Sequence, residues 1–314
     1  MTDESKYFMH TPASLSQGYV RWAEQLQNGS TISYGCAMDK TVLPLHPGDM
    51  MAVVARPGGG KSSWMAYMAR KEAQAIVERE SDNEVVIYVS WEQPVEEIEA
   101  FFQSGNDYSS SDFAWGRVPL ETIKKKAIKR AALPVWMIGT SVHHANIKKP
   151  RLTVDRVYST IESMYDEFGV KPTLVCLDYI QKIPVQGMTG RIEQVSEATF
   201  AAKELAMQIG APIIVGVQAS RNVDSYKLPI PTMADAQWSS AIEQTADKQI
   251  SVWRPAKTHD PKEHPYISIG GIDYRNSEEL FVVKLLKQRF EQGFGVWPVH
   301  FKPQTLELHD YRRY

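Results

Sequence analysis

Residues Ala55-Arg56-Pro57-Gly58-Gly59-Gly60-Lys61-Ser62 combine types that bind phosphate. They follow the pattern G-x-x-x-x-G-K-[ST], with Ala in place of the first Gly, and stand between an apolar strand and a helical pattern. Glycines let backbone N–H groups curl around phosphate oxygens. Lys61 supplies a positive charge to the β- and γ-phosphates, the Ser62 hydroxyl suits Mg²⁺, and the following helix adds its N-terminal dipole. The expected nucleotide contacts are Arg56, Gly58, Gly59, Gly60, Lys61, Ser62 and Ser63.

Other reactive groups close apolar runs downstream. Leu174–Asp178 ends in a carboxylate suited to a Mg²⁺ shell, so the metal-binding pair is expected to be Ser62 and Asp178. Glu92 follows Val89-Ser90-Trp91 and reads either as a base that activates water or as a surface glutamate. Gln218 ends Ile213–Gln218, where an amide can sense a γ-phosphate. Lys287 and Arg289 are two apart on a strand and project together. They read as a cationic finger, worth up to about 10³–10⁵ in rate, or as an exposed basic strand end.

Positioning these groups takes an α/β fold. The runs Met50–Ala55, Val85–Ser90, Val135–Gly139, Leu174–Asp178 and Ile213–Gln218 are apolar throughout, as central parallel strands covered on both faces are. Later strands are expected at Gln249–Arg254, Leu280–Lys287 and Val296–Phe301. Met65, Met68, Ala69, Ala73 and Ile76 form a core-facing helical stripe, and Val154–Phe168 and Ile192–Ile209 also read as helices. Residues 1–48 form an N-terminal arm with a short amphipathic helix at Leu15–Leu26 and entry turns at Gly29–Ser30, Gly35 and Pro44–Gly48; residues 49–314 form the core domain. A helix this short docks on something, its own domain or a neighbouring copy. Arg254–Glu279 is expected to be a surface hairpin or loop with solvated His259 and His264, and Lys124–Lys126, Lys129 and Arg130 a solvated helix face.

Together these segments resemble the C-terminal ATPase domain of the DnaB-type replicative helicases, a RecA-like family of hexameric rings. The resemblance runs from about residue 30 to 310, through ARPGGGKS at 55–62, YVSWEQP at 88–94, LDYIQ at 177–181, VGVQASRN at 215–222, IEQTAD at 242–247 and LLKQRF at 285–290. It implies a RecA-like P-loop NTPase core, a largely parallel twisted sheet with helices on both faces and a C-terminal β extension. It implies ATP and Mg²⁺ as cofactors, Lys61 and Ser62 on nucleotide and metal, Glu92 as catalytic base, Asp178 as the Walker B carboxylate and Gln218 as γ-phosphate sensor. Lys287 and Arg289 would act in trans on a neighbour's site, and the Leu15–Leu26 helix would be the linker helix that docks on the adjacent subunit. The resemblance covers only the family's ATPase domain; its N-terminal helical domain, which supports ring assembly and primase contact, is expected to be absent. At the family's DNA-contacting turn, Gln237 stands where an Arg is usual, and Trp238 reads as a base-stacking or a core residue.

The resemblance makes the chain an ATP-driven helicase or translocase motor, a homo-oligomeric ring, expected to be a hexamer, on single-stranded DNA, with a loader or other replication protein as a further partner. The alternative is a non-helicase RecA-like ATPase whose nucleotide cycle controls assembly or recruitment; intact catalytic positions argue against a purely binding role. Loops after the Walker B and sensor strands would meet DNA through Lys182, Arg191, Arg221 and Lys227. Local cations are needed for this, because the net charge is −2 and no overall basic field exists. Hydrophobic residues at 43% and charged residues at 23% over 314 residues argue for a packed core rather than disorder. No apolar run is long enough for a membrane span, no secretory leader is expected, and Cys36 and Cys176 read as reduced thiols in a cytoplasmic bacterial, phage or plasmid setting.

Overall fold

The structure, a computed structural model, describes residues 9–27, 31–144, 149–237, 240–290 and 293–311. Trp238 and the Gly29–Ser30 turn lie outside the described residues. Along the chain, α1 (Pro12–Gln27) precedes β1 (Met50–Ala55), α2 (Lys61–Glu78) and β2 (Glu84–Ser90). Three helices follow, α3 (Val95–Gln103), α4 (Ser110–Ala114) and α5 (Leu120–Ala131), then β3 (Val135–Gly139), α6 (Val154–Phe168) and β4 (Lys171–Asp178). Next come α7 (Arg191–Ile209), β5 (Ile213–Gln218), α8 (Ser240–Thr245) and β6 (Lys248–Trp253). The chain closes with β7 (Tyr266–Ile269), β8 (Ile272–Arg275), β9 (Leu280–Gln288), β10 (Gly295–Lys302) and β11 (Glu307–Asp310).

One nine-stranded sheet carries the fold, in the order β11-β10-β9-β6-β1-β5-β4-β2-β3. From β6 to β3 the pairings are parallel; β9, β10 and β11 extend the sheet by antiparallel pairing. The sheet is mixed α/β with the expected C-terminal β extension. Side chains alternate faces along each strand. Met51, Val53 and Ala55 of β1 pack in one core cluster with Trp64, Met65, Met68 and Ile76 of α2. Met50, Ala52 and Val54 join the opposite cluster with Val157 and Ile161 of α6 and Val195 and Leu205 of α7. A strand buried on both faces has no polar face to show, which is why these runs are apolar throughout. Part of the expected N-terminal arm belongs to the core instead: Ile32, Tyr34, Met38, Val42 and Leu45 are buried in the α2-side cluster. Helix α1 has no buried residue.

The Arg254–Glu279 connection is a hairpin, β7 paired antiparallel with β8, and it has a small core of its own. Ile267, Ile269 and Tyr274 cluster with Trp253, Leu280 and Val282. His259 departs from the solvated expectation: its ring lies 5.7 Å from Trp253 and 5.3 Å from His264. The basic face of α5 is also less free than expected. Arg130 stacks over Phe102 at 5.1 Å and bonds Glu99 and the Leu133 and Val135 carbonyls, because its guanidinium folds back over α3 and the turn into β3.

Candidate active site

The loop between β1 and α2 lies at the carboxyl edge of the parallel strands, where α/β folds place ligands. Gly58 and Gly60 have φ of +73° and +98°, which a side chain would strain. A Cβ on Gly60 would also lie 2.3 Å from Phe281 Cε2 and 3.2 Å from Arg254 Cδ. Gly59 N donates to the Arg56 carbonyl at 2.8 Å, closing the loop on itself.

Lys61, the first residue of α2, runs along the surface of β5. A Cβ on Gly216 would sit 2.8 Å from Lys61 Cδ, so glycine leaves the lysine its path. The ammonium pairs with Asp178 Oδ1 and lies 4.3 Å from the centre of the Tyr179 ring. Tyr88 donates to Asp178 Oδ2 at 2.8 Å, and Ser62 hydrogen-bonds the same carboxylate. Burial would raise the Asp178 carboxyl, but the Lys61 charge and the hydrogen bonds from Lys61, Ser62 and Tyr88 outweigh it and hold it below the ordinary 3.8. Asp178 and Ser62 therefore form a close pair of hard oxygen donors. Mg²⁺ takes such a pair when phosphate and water complete its shell. Among the described residues no group of three or more His, Cys, Asp or Glu could hold a metal alone. The donor set fits Mg²⁺ carried with a nucleotide.

Gln218 pairs in register with Ala55, which brings it to the edge of the phosphate loop. Its backbone is clasped by Gln181, whose side chain accepts from Gln218 N at 3.1 Å and donates to the Gln218 carbonyl at 3.3 Å. Gln237 N bonds the same carbonyl at 3.1 Å. Glu92 is exposed just beyond β2, and its charge reaches Tyr179. Ser63 is buried within α2. Arg56 departs from expectation: its guanidinium turns from the phosphate loop to a two-point pair with Asp224, at 2.8 and 2.7 Å, and to the Ala219 carbonyl. The carboxylate on the excursion after β5 competes for it.

Lys287 and Arg289 stand at the other edge of the sheet. Because β9 is antiparallel to β6, its end pairs with the start of β6, where Gln288 faces Lys248 and Lys248 faces Met51 of β1. Arg289 binds Asp247 at 3.0 Å, and Lys287 donates to the Glu243 and Ala246 carbonyls at 2.5 and 2.8 Å, at the end of α8. A six-residue strand spans roughly 17–20 Å, so these cations do not meet the phosphate loop of their own chain. Lys182, Arg191, Arg221 and Lys227 are exposed on two excursions at the carboxyl edge. Asp235 ties the second excursion together, accepting from Thr232 N at 2.8 Å and Tyr226 Oη at 2.8 Å.

Tyr88, Tyr179, Gln181 and Arg254 had no assigned role in the sequence. Gln181 carried a signal, a polar residue inside the LDYIQ segment. Tyr88 reads as core until the register sets β2 beside Asp178.

Comparison with known proteins matches residues 33–309 to the family model described as DnaB-like helicase C terminal domain. The chain is similar to the replicative DNA helicase DnaB of Mycoplasma genitalium, 24% identical over 276 residues, covering 85% of this chain and 53% of that protein. It is also similar to that of Leifsonia xyli subsp. xyli, 27% identical over 222 residues, covering 69% of this chain and 45% of that one. The chain spans about half the length of the curated relatives it matches. Among solved structures, one described as an ATPase domain superposes with a TM-score of 0.73 at 17% identity, covering 96% of this chain and 100% of that one. A DnaB-like replicative helicase, described with its interactions with primase, gives 0.70 at 16% identity, covering 97% of this chain and 67% of that one.

Proposed function

The chain belongs to the DnaB-like helicase C-terminal domain family, and on that premise we propose that it is an ATP-driven motor that works as a homo-oligomeric ring, a hexamer, on single-stranded DNA. The observation that carries the reading is the separation of the phosphate loop and the Lys287–Arg289 pair to opposite edges of one sheet. A ring closes by a repeated head-to-tail interface, which sets one edge of each copy against the other edge of the next. Helix α1 supplies the second contact: it leaves Leu15, Tyr19 and Val20 more than half exposed, and it docks on the adjacent copy.

In this reading the phosphate-loop amides and Lys61 hold the β- and γ-phosphates of ATP, and Ser62 and Asp178 hold Mg²⁺. The bound nucleotide and its metal supply the phosphoryl group and the charge that screens it. Lys61 moves from Asp178 to phosphate, and Tyr88 and Ser62 keep the carboxylate in place. Glu92 orients a water and takes its proton. Gln218 senses the γ-phosphate, and the Gln181 clasp passes that state to the two excursions beyond β4 and β5. The neighbour's Arg289 and Lys287 neutralise charge in the transition state.

The test is ATP hydrolysis with and without single-stranded DNA, on wild type and Arg289→Ala, with the mass of the assembly recorded. DNA is expected to stimulate turnover, and Arg289→Ala to reduce it by about 10³-fold or more while rings persist. A monomer whose turnover ignores DNA overturns the reading and leaves the non-helicase ATPase that Gln237 at the DNA turn favours.

A further inference from the structure

Two adjoining hollows open at the carboxyl edge of β2 and β3, away from the phosphate loop. The larger, about 790 Å³, is lined by Lys149, Arg151, Arg156 and Lys182 together with the hydroxyls of α6. The smaller, about 340 Å³, shares Arg151 and Arg156 and runs past Thr153 to Gln186, on the excursion after β4. Among the described residues no carboxylate lies within ion-pairing distance of any of these four cations, whereas Arg56, Arg79, Lys126 and Arg130 each have one. No Asp or Glu among the described residues lines either hollow, and Glu96 on α3 is committed to the Ser141 hydroxyl and the Val142 amide, where it pins the loop after β3. The start of α6 borders both hollows, although Asp155 in its first turn offsets the positive end of the helix dipole. Four like charges around one depression repel one another, and an anion relieves that repulsion.

We propose that this groove binds the phosphodiester backbone of a nucleic-acid strand and extends the DNA path beyond the two channel excursions. The proposal rests on the function proposed above. All four cations line the larger hollow, and Arg151 and Arg156 also line the smaller one; a basic surface continued over two linked hollows fits an extended polyanion better than a single phosphate. The larger hollow includes Lys182, on the excursion expected to meet DNA, together with Arg156 and Arg151. Its wall is held from the catalytic side: Trp91, the neighbour of Glu92, donates its indole N–H to the Leu152 carbonyl at 2.7 Å.

The experiment measures binding of a labelled oligothymidylate over a range of salt concentrations, for wild type, Arg151→Ala/Arg156→Ala and the control Lys124→Ala/Lys125→Ala. Each phosphate contact on a single strand contributes about 0.7 to the slope of log affinity against log salt, so the groove variant should bind more weakly with a slope shallower by about 1.4. The control should keep the wild-type slope, and DNA-free hydrolysis should be unchanged in both. Photo-crosslinking of a bromodeoxyuridine oligonucleotide to wild type needs no variant and should mark the peptides around 149–156 and 182–186. A wild-type slope in the groove variant, or cross-links confined to 219–227, overturns the groove while leaving the motor intact. No binding by wild type overturns both.

Discussion

Asp178 is 5% exposed, and Lys61, Ser62 and Tyr88 all point at it. The lowered carboxyl has a consequence for pH. A group whose folded value is depressed stabilises the fold fully above its unfolded value and loses that contribution as pH falls through the folded one. Asp178 therefore stays ionised throughout the range in which the enzyme would be assayed. His259 behaves differently. Burial, then the charge of His264, push its imidazole below the ordinary 6.5. On acidification the unfolded chain takes the proton first, so stability falls as pH drops below about 6.5 and levels off beneath the folded value. Thermal melts between neutral and mildly acid pH should show this decline, and His259→Asn should flatten it; equal acid slopes in the two proteins would refute the assignment. At this scale Lys61, Asp178 and Gln218 were legible because each closes or opens an apolar run. Tyr88 and Arg56 were not, because their partners, Asp178 and Asp224, are 90 and 168 positions away.

The elements succeed or fail by register. Parallel pairing of Ala55 with Gln218 sets that glutamine and the phosphate loop side by side, and Gly216 two residues earlier leaves the surface over which Lys61 passes. Gly216→Ala places a methyl 2.8 Å from Lys61 Cδ and 3.2 Å from Met65 Sδ. Its backbone suits any residue, so the strand survives. The expected outcome is nucleotide affinity reduced on the order of tenfold, about 1.4 kcal/mol, with little change in melting temperature. Titration with a fluorescent ATP analogue checks it, and unaltered affinity would contradict the path assigned to Lys61. The strands at the centre of the sheet were readable because burial on both faces leaves a continuous apolar signature. The edge was less so: β11 alternates, with Leu308 buried between exposed Glu307 and His309, and is only four residues long. The two-stranded hairpin was anticipated as surface, yet its alternating Ile267, Ile269 and Tyr274 build a satellite core that a reading of overall polarity misses.

At the scale of the whole molecule, charge and apolar surface are distributed rather than abundant. A net charge of −2 hides a groove whose cations meet no carboxylate among the described residues, because acids elsewhere balance it. Helix α1 has no fully buried residue and touches its own chain at Trp22, whose ring lies 6.4 Å from that of His46. Removing residues 1–27 should therefore change fold stability by no more than about 0.5 kcal/mol while lowering the assembled fraction, as native mass and thermal melts on the same samples would show. An assembly that survives the deletion would remove α1 from the interface. Sequence order marked which residues are candidates for the chemistry. It did not reveal that β9 runs back to put Arg289 at the amino edge, because direction and strand order are properties of the sheet.

The central claim is that each catalytic site is built from two copies, and subunit mixing tests it most directly. Lys61→Ala keeps its finger and lacks the phosphate contact; Arg289→Ala keeps the phosphate contact and lacks the finger. Each alone should be nearly inactive. Equal mixtures allowed to exchange should regain DNA-stimulated hydrolysis, since about a quarter of head-to-tail interfaces then join an intact loop to an intact Arg289. A mixture no more active than the two variants measured apart would contradict the account.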